Sequence, residues 1–147
     1  LPKSGQIYIS FLMQQPGRDS LTDAFSGILL YKGDYKEEFF IGEIHPVNSY
    51  GSRFAASSEE DPYAVSPDND VHLFVVRIDL TRKLTDVFVD PPLHKLPKDI
   101  LPNKRYQSVP EFDRLQLRSG SDHALLPVLF DELRIGLTWQ SVLPVKR

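Results

Sequence analysis

The chain has 147 residues, 41% of them hydrophobic and 25% charged, with a formal charge of −3 and no cysteine. Those values describe one ordinary folded domain with enough chain to bury a core, and they exclude a disulfide framework, a Cys-ligated zinc site and a thiol nucleophile. The acidic balance and the scattered Lys and Arg argue against nucleic acid or anionic lipid as a partner, and no apolar run approaches the roughly 20 residues of a membrane span.

Leu1-Pro2-Lys3-Ser4 opens the chain without Met or signal peptide, which reads as an excised domain or a mature product. Twelve prolines and eight glycines then punctuate segments rich in Val, Ile, Phe, Tyr and Leu. Short segments at such spacing predict antiparallel strands rather than helices. They fall at 6–13, 26–32, 37–44, 52–57, 71–80, 83–90, 111–118 and 127–136. A polar loop over 14–24 joins the first two. A second loop over 58–70 carries Glu59, Glu60, Asp61, Asp68 and Asp70.

Thr81-Arg82 links 71–80 tightly to 83–90 as a hairpin. Val71 to Val76 is apolar on both phases, as expected of a central strand covered on both sides. Asp90-Pro91-Pro92 ends the hairpin, because proline cannot donate to a strand ladder. Five prolines make 91–110 a long crossing loop within a single domain. The final strand runs Leu129-Phe130-Asp131-Glu132-Leu133-Arg134-Ile135-Gly136, and Thr138 to Val142 can form one helical turn after it. Alternation puts Leu129, Leu133, Ile135 and Leu137 on one face, and Asp131 shares their phase. That face is expected to be the buried one, so the Asp131 carboxylate must meet a cation, several backbone N–H groups or a bound metal.

Several of these segments match motifs of a known class. Tyr8-Ile9-Ser10-Phe11-Leu12, Phe25-Ser26-Gly27-Ile28-Leu29-Leu30-Tyr31, Phe39-Phe40-Ile41-Gly42 and Val75-Val76-Arg77-Ile78-Asp79 occur in order. Asp131-Glu132-Leu133-Arg134-Ile135-Gly136 then closes the set with Trp139, Val142 and Pro144. In this the chain resembles the laminin-G-like, concanavalin-A-like domains of bacterial secreted and surface proteins, over about residues 6–144. The resemblance implies an all-β antiparallel jelly-roll sandwich, an extracellular or cell-surface location, and a structural calcium as the one cofactor to consider. Asp90-Pro91 stands where relatives often carry Asn-Pro. The family's segment upstream of the Tyr8 strand is missing here, so an edge of the sandwich is expected to be filled by another chain or a cleaved piece.

Candidate site residues follow from chemistry. Hard carboxylate oxygens suit calcium, which nominates Asp131, Asp68 and Asp70, although Asp68-Asn69-Asp70 lacks the glycine and terminal glutamate of an EF-hand loop. The alternative for Asp131 is a set of backbone N–H groups or an arginine such as Arg77 or Arg114. Exposed aromatic and cationic side chains beside loops suit a sugar, which nominates Tyr50, Arg53 and Tyr63. Trp139 reads instead as a plug over the core. His45, His72, His94 and His123 form no H-x-H or H-E-x-x-H pair, so zinc is not expected, and His72 reads as a core-edge residue.

Catalytic signatures are absent from the sequence. It has no E-x-D-x-x-E run of the sandwich glycosidases, no G-x-S-x-G elbow and no phosphate-binding glycine loop. Ser119-Gly120-Ser121-Asp122-His123 groups triad residue types in one loop, where they cannot take up triad geometry. The expectation is a non-catalytic binding module for carbohydrate. The competing expectation is a structural or protein-interaction subunit whose sheet another protein chain completes.

Overall fold

A computed structural model describes residues 4–17, 24–34, 36–44, 49–55, 61–121 and 127–144. The protein is all-β. Its strands are β1 (Gln6–Gln14), β2 (Ala24–Lys32), β3 (Lys36–Ile44), β4 (Ser49–Phe54), β5 (Asp61–Pro62), β6 (His72–Asp79), β7 (Leu84–Val89), β8 (Lys104–Tyr106), β9 (Arg114–Ser121) and β10 (Leu129–Gly136). They form two five-stranded antiparallel sheets, ordered β10-β1-β6-β7-β8 and β5-β4-β3-β2-β9. All eight predicted strands are present. The short β5 and β8 were expected as loop, and β8 lies inside the proline-rich crossing segment. The expected turn after β10 is a single 3-10 turn over Gln140–Val142.

The contacts divide the chain into two compact units. The first comprises Leu1–Met13, His72–Val109 and Phe130–Arg147, and the second comprises Gln14–Val71 and Pro110–Leu129. In the first unit, β6 is the central strand and is apolar on both faces. One face sets Phe11 opposite Phe74, Ile9 opposite Val76 and Ile7 opposite Ile78. The rings of Phe11 and Phe74 stack with centroids 4.9 Å apart. The other face builds a cluster of Tyr8, Leu73, Val75, Phe88, Trp139 and Val142. Burying each of these large side chains contributes about 1.5–3 kcal/mol. Together they explain why the Val71–Val76 stretch lacks alternation, although Val71 itself lies before the strand and is exposed.

The β6–β7 turn covers four residues, 80–83, rather than two. Asp79 Oδ1 accepts the Arg82 backbone N–H at 2.8 Å, and Lys83 closes the turn at φ 58°. A side-chain acceptor two to three residues ahead is the usual aid to such a reversal. At the far end of the hairpin Asp90 takes φ 49°. Its Oδ1 accepts the Leu73 N–H at 2.8 Å, and its Oδ2 lies 2.6 Å from Nδ1 of the buried His72. Asn and Asp tolerate that left-handed backbone better than other side chains do.

Strand β10 corrects the sequence expectation. It lies at an edge of its sheet, and the row containing Leu129, Asp131, Leu133 and Ile135 faces outward, with Leu133 44% and Ile135 60% exposed. Phe130, Glu132 and Arg134 are the half-buried residues. Asp131 is therefore not a buried carboxylate. It accepts the Glu132 N–H at 2.7 Å, where Glu132 takes φ 50°. Alternation identifies residues that share a face, but an edge strand at the surface can turn its apolar row outward.

In the second unit, β2 and β3 pair Ile28 with Ile41, Leu29 with Phe40 and Leu30 with Phe39. Gly27 and Gly42 also face each other in this ladder. A Cβ at Gly27 would lie 2.1 Å from the Ile41 carbonyl oxygen, and Gly42 has φ 149°. The strands approach this closely only because neither residue has a side chain. Gly27→Ala is expected to destabilise the protein by about 1–3 kcal/mol, as overpacking against rigid backbone does. Urea unfolding checks this as a lower midpoint at unchanged slope.

Candidate binding cleft in the first unit

Four opposed residues cross the first sheet in a row. The register sets Tyr8 on β1 opposite Arg77 on β6, Arg77 opposite Asp86 on β7, and Asp86 opposite Arg105 on β8. Cross-strand neighbours of opposite charge attract at such positions. Asp86 is 1% exposed. Arg77 donates to its Oδ2 from Nε at 2.9 Å and also from Nη2. Arg105 donates from Nε to Oδ1 at 2.6 Å and from Nη2 to Oδ2 at 3.2 Å. Two guanidinium forks thus hold one buried carboxylate, and that bond pushes Arg105 still higher in its basic range.

The next row along β1 and β6 adds a polar chain. Tyr8 Oη donates to Gln6 Oε1 at 2.6 Å, and Gln6 Nε2 donates to Asp79 Oδ2 at 3.0 Å. Burial raises the Tyr8 hydroxyl above its ordinary range, and the Arg77 charge only partly offsets this. Burial also works to raise the Asp79 carboxyl. The Arg82 N–H, the Gln6 amide and the Arg82 charge outweigh it, so Asp79 titrates below the usual carboxylate range.

These rows form part of the wall of a cleft of about 440 Å³. Lys98 comes from the 3-10 turn Pro97–Asp99, Arg82 from the hairpin turn, and Thr138, Trp139 and Gln140 from the segment after β10. Leu96 and Leu137, both exposed, and Pro97 add apolar surface. Trp139 has the packing role expected of it. It is 3% exposed and meets Tyr8 and Phe88 edge to face, with centroids 6.0 and 5.4 Å away. Its indole N–H is buried without an acceptor, an arrangement worth about 1–3 kcal/mol of lost hydrogen bonding.

The residues nominated from sequence lie elsewhere. Tyr50, on β4 in the second unit, is 0% exposed, and its Oη donates to Gln15 Oε1 at 3.3 Å. Tyr63 is also buried, with Oη bonded to Ser52 Oγ and its N–H 2.7 Å from the Tyr50 carbonyl. The structure therefore corrects the expectation that these rings are exposed. Sheet register brings them together as internal packing, and neither presents a face to a sugar. Arg53 is half-buried, 3.5 Å from Glu37. Asp68 and Asp70 are exposed, and Asp68 Oδ1 accepts the Asp70 N–H at 2.7 Å.

Among the described residues, no group of three or more His, Asp or Glu converges as a metal ion would require. Glu59, Glu60, His45, Asp122 and His123 lie outside the described residues, while Ser119, Gly120 and Ser121 end strand β9 rather than sit in a loop. Among the described residues the buried carboxylates are instead Asp86, Asp79 and Glu43, the last accepting from the Gln15 amide and, at 3.3 Å, from Ser26 Oγ. A signal for one of them was present. A hairpin closed at Thr81-Arg82 already sets Arg77 opposite Asp86. Arg105 could not be found that way, because β8 has no apolar alternation.

Comparison of the chain with protein-family models and with curated proteins finds no match to either.

Two outcomes test the charged row. Asp86→Ala strands two guanidiniums and is expected to destabilise the protein by about 3–5 kcal/mol, whereas Arg105→Ala, whose side chain is half-exposed, is expected to lose no more than about 1 kcal/mol. Denaturant midpoints measure both. Asp79 has its carboxyl held low in the folded state, so its stabilisation is complete above about pH 4 and is lost as pH falls through the lower folded value. Asp79→Asn is expected to flatten the acid limb of a stability–pH curve followed by thermal melting, and an unchanged limb would refute the assignment.

Proposed function

We propose that the chain is a non-catalytic carbohydrate-binding module of a secreted or cell-surface bacterial protein, with its two sheets as the layers of a laminin-G-like, concanavalin-A-like jelly roll. The observation that carries this reading is the composition of the cleft. Gln6, Thr138 and Gln140 offer hydrogen-bonding groups matched to sugar hydroxyls, Arg82 and Lys98 add donors, and Leu96 and Leu137 offer apolar surface to a pyranose C–H face. A cleft of this size suits one or two sugar rings. Among the described residues its lining contains no acidic side chain, which favours binding over the paired-carboxylate chemistry of glycosidases. The assignment to a lectin-like fold is an analogy, since such sandwiches host unrelated functions.

A second reading has its own support. Strand β10 ends its sheet, so its backbone edge is where a partner strand would pair, and its outward apolar row would pack against the rest of that partner. On that reading the protein is an interaction subunit of a larger extracellular assembly.

A glycan array probed with folded protein, with and without added calcium, separates the two. Specific glycan signals that weaken in the Gln6→Ala/Gln140→Ala variant support the module reading. A flat array, combined with an oligomer by light scattering that Leu133→Lys returns to monomer, overturns it in favour of the assembly. Signals that appear only with calcium would assign the ion a part in binding.

A further inference from the structure

We propose that this cleft selects anionic sugars, those carrying a carboxylate or sulfate group, and holds the anion among Arg77, Arg82 and Lys98. The inference rests on the carbohydrate reading and narrows it. Three cationic side chains line the cleft of a chain whose formal charge is −3, so the local sign opposes the overall one. A concave, positively lined site concentrates anions.

The two acids behind the cleft do not cancel that sign. Asp86 already faces two guanidiniums, which leaves one positive charge in excess in its row. Asp79 keeps its negative charge beside Arg82, so Arg77, Arg82, Lys98 and Arg105 set against Asp79 and Asp86 leave a surplus of two positive charges. Hydrogen-bonding capacity points the same way. Arg, Lys and Trp side chains donate and do not accept. The cleft's cationic side chains therefore give it a surplus of donors. A carboxylate or sulfate is all acceptor and complements it. The Arg77 guanidinium is fixed in orientation by Asp86, so it meets such a group without further ordering.

Trp139 is the one tryptophan of the chain, so its fluorescence reports on the cleft. The experiment titrates the whole chain with tetragalacturonate, a sulfated heparin tetrasaccharide, neutral cellotetraose and inorganic sulfate, following fluorescence and heat of binding. One or both acidic tetrasaccharides are expected to give a saturable change and to bind about tenfold or more tighter than cellotetraose. Added salt should weaken them, and the exposed Arg82→Gln/Lys98→Gln pair should raise their Kd about tenfold or more at an unchanged melting temperature. Lys98→Gln alone should give a several-fold loss, which serves if the double variant folds poorly. Cellotetraose binding as tightly as the acidic sugars overturns the charge selection while leaving the carbohydrate reading standing. Inorganic sulfate binding as tightly as the sulfated tetrasaccharide overturns the carbohydrate reading, because the sugar then adds nothing. Silence from all four probes overturns both.

Discussion

The Asp86 carboxylate constrains the first sheet more than any other group. A charge buried to this extent is tolerated only where opposite charges and hydrogen bonds replace its lost water, and here two guanidinium forks on neighbouring strands do so. The requirement reaches across three strands. Arg77 and Asp86 face each other only in one β6–β7 register, and Arg105 reaches the same carboxylate only if β8 pairs with β7 at that height. A one-residue slip would turn Asp86 into the apolar face that holds Phe74 and Val76. The ion row therefore specifies pairing, and it fixes Arg77 opposite Tyr8 in the cleft wall.

The second unit also buries a carboxylate, that of Glu43. Glu43 takes hydrogen bonds from the Gln15 amide and Ser26, and Gln15 in turn accepts from Tyr50. Alternation alone nominates Asp131 as the buried carboxylate, whereas the structure buries Asp86, Asp79 and Glu43. A carboxylate with the phase of leucines is informative only once the covered face is known. On β10, an edge strand, the leucine face is the open one.

What could be read in advance follows the physics of each element. β1, β2, β3, β6 and β7 are long, apolar and bounded by turn residues, so pattern alone locates them within a few positions. β8 is Lys104-Arg105-Tyr106 and β5 is Asp61-Pro62. Both form because a longer neighbour offers an unpaired edge, a tertiary cause that leaves no periodic trace. The cleft was illegible for the same reason. Its residues come from β1, β6, a hairpin turn, the proline-rich segment and the stretch after β10, and each looks ordinary where it stands in the chain. Tyr50 and Tyr63 show the converse. They sit beside turns in sequence, yet they are interior packing.

The outward row of β10 has a consequence for how the protein behaves in bulk. An open strand edge beside exposed leucines and isoleucine is a template for fibrillar self-association. The strand carries its own gatekeepers against that outcome. Asp131, Glu132 and Arg134 interrupt the apolar residues, and the left-handed backbone at Glu132 breaks the flat, extended run that stacked chains need. Colloidal stability at high concentration therefore depends on three charged side chains and one unusual backbone angle within a single eight-residue segment.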